Sequence, residues 1–267
     1  STSSLESLER KKIIDIKIFQ EDRNIEQNFE TKKKIVLSQS QSKAVKKINS
    51  EFKKKNVVLL EGVTSSGKTE IYLNIIKNYL SDNRQVLYLL PEISLTTQII
   101  QKLKNYFGDK VSVFHSRNSI HERTEVWRNV QENKKNAQII IGARSSLFLP
   151  FKNLGLIIID EEHENSYKQQ EPSPRYHARD SAIILSRLHK SKIILGSATP
   201  SIESSKNARN GKYGWVKLNE RYGGIKMPKI ETIDIKEEIL NDQMNGLFSK
   251  KLIDEIGNTL KEKKQVI

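Results

Sequence analysis

The sequence has no cysteine and no long apolar run. Without cysteine, the chain can form neither a disulfide nor a thiolate zinc site. A transmembrane helix needs about 20 consecutive apolar residues, and no run approaches that length. The opening residues, STSSLESLER, also lack the apolar segment of a signal peptide. We therefore expect a cytoplasmic protein without a membrane partner.

Acidic residues are few relative to basic ones. The 267 residues include 46 Lys and Arg against 32 Asp and Glu, which gives a formal net charge of +14 and an isoelectric point near 9.6. Such an excess favours a polyanionic partner, most often nucleic acid. A lysine-rich proteome, in which the charges only solvate the surface, would give the same balance. Charge must therefore be supported by motifs.

The hydrophobic pattern of the first 36 residues does not predict a complete domain. A short helical segment, LESLERK, is followed by alternating Ile14, Ile16 and Ile18, which is typical of a strand. We expect residues 1–20 to end a domain and the polar residues 21–36 to be a linker. The absence of an initiator methionine suggests a chain cut from a longer protein.

From about residue 37, short apolar runs alternate with amphipathic segments. Residues 72–80 and 95–106 each carry a helical stripe. Runs that are apolar on both faces are typical of a parallel sheet covered by helices on both sides, so the pattern predicts an α/β fold. The runs are VVLL (57–60), VLYLL (86–90), VSVF (111–114), IIIG (139–142), LIIID (156–160) and KIIL (192–195).

After residue 200 the pattern weakens. GKYGWVKL and PKIETIDI are predicted to be short strands, and residues 252–260 carry the stripe of a last helix. We assign residues 206–267 to a connection toward a further domain and to its start.

The segment GVTSSGKT satisfies the phosphate-binding pattern G-x-x-x-x-G-K-[ST] between a strand and a helix. In such a loop, backbone N–H groups and the helix N-terminus face phosphate oxygens. Lys68 would reach the β and γ phosphates, and the Thr69 hydroxyl would ligate Mg²⁺. A chance match in a Gly/Ser turn is the alternative. The predicted ATP-binding residues here are Gly62, Val63, Thr64, Ser65, Ser66, Gly67, Lys68 and Thr69.

A second motif, DEEH, follows the apolar run LIII. Asp160 ends this predicted strand and would complete the Mg²⁺ site together with Thr69. Glu161 would orient and deprotonate the attacking water. The predicted catalytic residues are therefore Lys68, Asp160 and Glu161.

Two other interpretations of the acidic segment stay open. In the first interpretation, Glu162 and Glu164 are ordinary solvated charges. In the second they join His163 and His177 in a transition-metal site, although the spacing lacks the H-E-x-x-H pattern.

A third motif, GSATP, follows the apolar run KIIL. Three strand ends would then carry polar motifs to the carboxyl edge of the sheet, where open α/β sheets bind ligands. Taken alone, GSATP is also consistent with a turn and a proline stop. Together with DEEH it argues against a small-molecule kinase.

Six segments, in this order, carry a family resemblance: GVTSSGKTEIYL, LLPEISLTTQ, FHSRNSIHERTEVW, IIIGARSSLFLPFKNLGLIIIDEEH, SYKQQEPSPRYHARD and GSATPSIES. From about Leu37 to Glu203 the chain closely resembles the helicase core of the PriA family, which are replication-restart DNA helicases of superfamily 2. DEEH marks that superfamily generally, whereas GVTSSGKTE, GARSSLF and RYHARD together are more specific. The resemblance implies a RecA-like P-loop NTPase lobe that uses ATP and Mg²⁺ in 3′→5′ DNA unwinding.

The resemblance also implies roles for residues outside the phosphate-binding loop. Gln41 lies in a segment similar to the Q motif and would read the adenine edge. Residues 96–98 and 144–145 lie where such helicases hold DNA phosphates, and residues 167–179 resemble an aromatic-rich loop that senses DNA. Tyr176 could instead simply pack on the sheet edge. The implied DNA-contacting or coupling residues are Thr96, Thr97, Gln98, Arg144, Ser145, His163, Tyr167, Arg175, Tyr176, His177, Arg179, Ser197 and Thr199.

The family architecture implies a division of the chain. Residues 1–20 would end a winged-helix domain, residues 37–205 would form the first helicase lobe, and residues 206–267 would lead into the second lobe. The family's zinc site lies in a cysteine-rich insertion of that second lobe, so zinc is expected only outside this chain. The implied partners are single-stranded and forked DNA, single-stranded-DNA-binding protein and other primosome proteins, at the bacterial nucleoid.

Two residues depart from the family pattern. Ser65 stands where glycine is common, and we expect it to fit the loop with a negative φ. Arg117 follows HS where glycine is common, and its role is open. Two other functions also stay open: another superfamily 2 translocase, such as an RNA helicase or a restriction-type motor, and a nucleic-acid-binding module that does not hydrolyse ATP.

Overall fold

A computed structural model describes residues 10–11, 35–221 and 230–267 and divides the chain into two units, residues 1–225 and 226–267. The expected strand at Ile14 to Ile18 and almost all of the expected linker lie outside the described residues. None of the helices in the described ranges combines the length and apolar content that crossing a bilayer requires.

The first unit alternates strands and helices in the order that the sequence predicts. Its strands are β1 (Val57–Gly62), β2 (Gln85–Leu89), β3 (Val111–Phe114), β4 (Ile139–Gly142), β5 (Leu154–Asp160), β6 (Lys168–Gln169), β7 (Tyr176–His177), β8 (Lys192–Ser197) and β9 (Gly214–Leu218). Its helices are α1 (Gln39–Phe52), α2 (Lys68–Ser81), α3 (Thr97–Phe107), α4 (Ile120–Gln131), α5 (Ala178–His189) and α6 (Ile202–Arg209). The six apolar runs are confirmed as strands, and so is the strand predicted in GKYGWVKL.

Seven of these strands form one parallel sheet in the order β3-β4-β2-β5-β8-β1-β9. The sheet extends beyond residue 205, where the sequence analysis ends the first lobe, because Gly214–Leu218 pairs with β1. Its alternating buried residues add to the core of the sheet.

Helices cover both faces of the sheet, as the two-sided apolar strands predict. Successive residues of β1 point to opposite faces: Val58 and Leu60 pack with α1, α2 and α3, whereas Val57 and Leu59 pack with α4, α5 and α6. Because every strand of a parallel sheet ends at the same edge, this arrangement brings the ends of β1, β5 and β8 together.

The second unit is short and is described by itself. It contains α7 (Ile235–Leu240), a hairpin of β10 (Met244–Asn245) and β11 (Phe248–Ser249), and α8 (Lys250–Lys261). The last helix is confirmed. The strand expected in PKIETIDI is wrong over the described residues 230–235, because the Asp234 side chain accepts from the backbone N–H of Lys236 and starts α7 instead.

Candidate nucleotide-binding site

The loop Gly62–Thr69 joins β1 to α2 and has the geometry of an anion cradle. Gly67, the N-cap of α2, has φ 80°, and a Cβ there would collide with the Gln41 side chain. The Lys68 ammonium donates to the Gly62 carbonyl at 3.0 Å. Within the described part of the chain, the buried Ser66 hydroxyl has no hydrogen-bond partner, which fits a loop shaped for a polar ligand.

Ser65 corrects one expectation about this loop. Its φ is 62°, not negative as expected from the sequence. A non-glycine residue in the left-handed region costs roughly 1 kcal/mol in backbone strain. The loop carries this strain because Ser65 stands where glycine is common.

Gln41 holds the loop through hydrogen bonds to its backbone. Its amide nitrogen donates to the carbonyls of Ser66 and Gly67, both at 3.3 Å, and its amide oxygen accepts from the Ser38 backbone N–H at 2.8 Å. Only 1% of Gln41 is exposed. In this structure the amide therefore holds the loop, and its contact with adenine stays a prediction.

Asp160, at the end of β5, is held by three donors. The hydroxyls of Tyr72 and Tyr88 donate to its carboxylate at 3.0 and 3.2 Å, and the Glu161 backbone N–H donates at 3.2 Å. Burial raises the pKa of the Asp160 carboxyl, and the neighbouring negative charge of Glu161 raises it further, whereas Lys68 lowers it. The lack of a Cβ at Gly196 makes room for the Tyr72 hydroxyl.

Glu161 follows Asp160 in the left-handed region, with φ 48°. Its carboxylate lies 3.7 Å from the Lys68 ammonium, and its side chain is 35% exposed. The turn thus brings the second acidic residue of DEEH to the lysine of the loop, 93 residues earlier in the chain. These residues share a cleft of about 670 Å³ lined by Val36, Thr64, Ser65, Ser66, Gly67, Lys68, Thr69, Glu70, Tyr106, Asp160 and Glu161.

The donor set of the cleft fits a phosphate chain with Mg²⁺. The Thr69 hydroxyl and the Asp160 carboxylate are hard oxygen donors, which Mg²⁺ prefers, and Lys68 supplies a positive charge for phosphate. Among the described residues no group of three or more His, Asp or Glu side chains is arranged to hold a metal alone. His163 and Glu162, proposed above as transition-metal ligands, instead bond to other protein groups.

His163 connects the acidic motif to GSATP. Its Nδ1 lies 2.8 Å from the Ser197 hydroxyl and 3.8 Å from the Glu161 carboxylate, and its Nε2 lies 3.4 Å from the Thr199 hydroxyl. The Ser197 hydroxyl also accepts from the Thr199 backbone N–H at 3.0 Å. The three residues assigned to coupling at this edge therefore lie together, next to Glu161.

Glu162 is completely buried, so the interpretation as a solvated charge is wrong for this residue. Its carboxylate accepts from Arg179 at 3.1 Å, from the backbone N–H and hydroxyl of Ser201 at 2.7 and 3.1 Å, and from the Ser204 hydroxyl at 2.8 Å. Arg179 also pairs with Asp180 at 3.1 Å. Arg179 is 7% exposed and its guanidinium is bonded to these partners in this conformation, so its role in DNA contact or coupling stays a prediction.

Tyr167 is also structural in this conformation. It is 1% exposed, and its hydroxyl donates to the Asp160 backbone carbonyl at 2.7 Å. Burial raises the pKa of its phenol well above the ordinary value. A ring enclosed in this way cannot stack on a base, so the expected contact with DNA is not available to Tyr167 here.

Tyr176 lies in an aromatic pair whose partner, Phe148, was not predicted from the sequence. Its ring meets Phe148 edge to face, with centroids 5.0 Å apart and planes at 81°. Phe148 is 64% exposed, and Arg144 hydrogen-bonds the Tyr176 hydroxyl while donating to the Ser166 carbonyl at 2.9 Å. The available signal was GARSSLF itself, in which a large apolar residue ends a polar motif.

The remaining predicted DNA contacts differ in exposure. Arg175 is exposed and donates to the Gln170 carbonyl at 3.0 Å. His177 is half-buried, and burial lowers its pKa with help from the charge of Arg179. Thr96, Thr97, Gln98 and Ser145 are all exposed at the carboxyl edge, where strands β2 and β4 end.

A seven-stranded parallel sheet, a cradle loop after β1 and a carboxylate at the end of β5 define a P-loop nucleotide-binding protein. The sequence matches the DEAD/DEAH box helicase family over residues 38–208, well over half of the chain. The chain belongs to this family.

Relatives agree with this assignment, and a solved structure agrees with the fold. The chain is similar to "Replication restart protein PriA" of Bacillus subtilis, 43% identical over 79% of this chain and 26% of that protein. It is likewise similar to that of Rickettsia felis, 46% identical over 86% and 34% of the two chains. It spans about a quarter to a third of these relatives. In fold it is similar to RecG bound to a three-way DNA junction, with TM-score 0.52 and 19% identity over 84% of this chain and 26% of that one.

Proposed function

We propose that this chain is the ATP-binding lobe of an ATP-dependent 3′→5′ DNA helicase that acts in replication restart and primosome assembly. The observation that carries the proposal is the approach of Glu161 to Lys68, at 3.7 Å, in a cleft that Asp160 and Thr69 also line. The similarity to PriA proteins supports DNA rather than RNA as the substrate.

The chain's own residues divide the proposed chemistry among them. Thr69 and Asp160 would hold Mg²⁺, which supplies charge neutralisation on the phosphates when bound. Lys68 would bind the terminal phosphates of ATP. To do so, its ammonium must give up its contact with the Gly62 carbonyl or with the Glu161 carboxylate. Glu161, accessible at the cleft, would accept the proton of the attacking water. His163, which contacts both the Glu161 carboxylate and the Ser197 hydroxyl, would hold that carboxylate in position.

The DNA track is proposed to run over the carboxyl edge beside the cleft. Residues 96–98 and Ser145 are exposed there, and Phe148 with Tyr176 offers an aromatic pair on which a base can stack. Arg144 links that pair to the segment that precedes Tyr167, which bonds Asp160. The net charge of +14 suits single-stranded and forked DNA. Primosome proteins and single-stranded-DNA-binding protein are proposed partners by similarity.

The domain division is also a proposal, with its first lobe now extended to Leu218. A second lobe would supply an arginine finger, and such fingers contribute roughly 10³- to 10⁵-fold in rate in related phosphoryl transfer. We expect the 267-residue chain to bind ATP with little turnover and no unwinding. Strong DNA-stimulated hydrolysis by this chain alone would contradict that division.

Lys68→Ala tests the nucleotide site directly. The substitution removes the positive charge of the cradle, so we expect ATP affinity to fall at least about tenfold while DNA affinity is retained. Calorimetric titration with Mg·ATP and fluorescence anisotropy with labelled single-stranded DNA measure the two. Lys77→Ala, on the exposed side of α2, is the matched control. Equal ATP affinity in the Lys68→Ala chain would refute the proposed site.

A further inference from the structure

Tyr106 borders the nucleotide cleft, although it belongs to none of the motifs. It lies in the last turn of α3 and lines the same cleft as Lys68 and Thr69, with Val36 as another lining residue. Tyr106 is half-buried and packs its inner side against the core, whereas Val36 is 78% exposed. An aromatic ring held in this way presents a fixed surface to the cleft.

An ion pair between two helices lies one helical turn from that ring. The Lys102 ammonium lies 2.5 Å from the carboxylate of Glu70, which is in the first turn of α2 and lines the cleft. Lys102 precedes Tyr106 by one helical turn and therefore shares its side of α3. The pair ties this side of α3 to the start of the helix that carries Lys68.

The cleft lining combines two kinds of surface. Lys68, Thr69 and Asp160 contribute charged and polar groups, whereas Val36 and Tyr106 contribute apolar and aromatic surface. The side chain expected to read the base, Gln41, is 1% exposed, and its amide is bonded to the loop. A nucleotide whose phosphates bind the charged and polar groups needs a different surface for its flat base.

We propose that Tyr106 stacks on the base of the bound nucleotide and thereby supplies the affinity that separates a nucleotide from bare polyphosphate. The proposal rests on the proposed ATP site and deepens it. Stacking of a base on an aromatic ring is worth roughly a five- to 150-fold change in affinity when the ring is replaced by alanine.

The test compares ligands with and without a base on the 267-residue chain. Calorimetric titrations with ATP, ADP and inorganic tripolyphosphate are made on the unsubstituted chain, Tyr106→Ala and Tyr106→Phe. We expect Tyr106→Ala to weaken ATP and ADP about tenfold and to leave tripolyphosphate unchanged. Tyr106→Phe keeps the ring and should keep the affinity for ATP.

Asn105→Ala is the matched control, because Asn105 is the preceding residue of α3 and lines an adjacent groove instead of the nucleotide cleft. Circular dichroism checks that every variant is folded. Unchanged ATP affinity in Tyr106→Ala, an equal loss for tripolyphosphate, or an equal loss in Tyr106→Phe or Asn105→Ala would overturn the stacking proposal. Failure of the unsubstituted chain to bind ATP would refute the proposed function itself, and the stacking proposal with it.

Discussion

Glu161 and Glu162 are neighbours in the sequence and lie in opposite environments. Glu161 is 35% exposed in the cleft, 3.7 Å from the Lys68 ammonium. Glu162 is buried to 0% exposure and is saturated by Arg179, Ser201 and Ser204. The acidic motif is therefore two sites: one carboxylate faces the cleft, and the next connects three segments of the protein interior.

The left-handed turn at Glu161 explains the separation. After β5 ends at Asp160, a positive φ of 48° at Glu161 turns the chain, and the Glu162 backbone N–H donates to the Gly196 carbonyl at 3.0 Å. A buried carboxylate is tolerated when it is paired and hydrogen-bonded, and Glu162 meets both conditions. Among the described residues, the ionic neighbours of Glu161 lie at 3.7 and 3.8 Å, which agrees with its proposed role in proton transfer.

The largest expected effect comes from Glu161→Gln in a full-length helicase that contains this chain. Removing a general base lowers the rate of ATP hydrolysis by about 10²- to 10⁴-fold, and ATP affinity should stay within about threefold. Steady-state phosphate release and ATP titration measure the two quantities. Glu164→Gln, a neighbouring carboxylate outside the cleft lining, is the control and should keep its rate. A Glu161→Gln enzyme with normal turnover would remove Glu161 from the mechanism.

Glu162→Ala should act on stability instead. It leaves Arg179 buried beside the unpaired donors of Ser201 and Ser204, which costs about 3–5 kcal/mol in the free energy of unfolding. Urea denaturation of the 267-residue chain, followed by circular dichroism, measures the loss. Glu161→Gln should change stability by less than about 0.5 kcal/mol, because its side chain is partly solvated. Similar losses for the two variants would erase the contrast between the neighbours.

A pair of serine substitutions sharpens the comparison at smaller magnitude. Ser197→Ala removes the hydroxyl that meets His163 at 2.8 Å, and it should lower ATP hydrolysis about fivefold. Ser204→Ala removes a hydroxyl bonded to Glu162 and should lower stability by about 1 kcal/mol while leaving hydrolysis intact. The same two assays apply. Loss of hydrolysis in Ser204→Ala would show that the buried hydrogen bonds of Glu162 also affect the rate of ATP hydrolysis.

Much of the fold and of the ATP site could be predicted from local pattern. Apolar runs fixed the positions of six strands, and GVTSSGKT fixed the loop, because a cradle for phosphate needs those residue types in consecutive positions. The assignment of Asp160 and Glu161 followed from their place at a strand end. Burial could not be predicted, since Glu162, Tyr167 and Arg179 look polar and available in sequence and are enclosed by partners from other segments.

The sequence by itself determined the alternation of strands and helices and the identity of the phosphate-binding loop, because both depend on residues close together in the chain. The tertiary structure alone decided which carboxylate of DEEH meets Lys68, which tyrosines are enclosed, and that Tyr106 borders the cleft. The physical reason is that partners for a buried charge, and rings beside a cleft, come from segments tens of residues apart, brought together only when the parallel sheet forms.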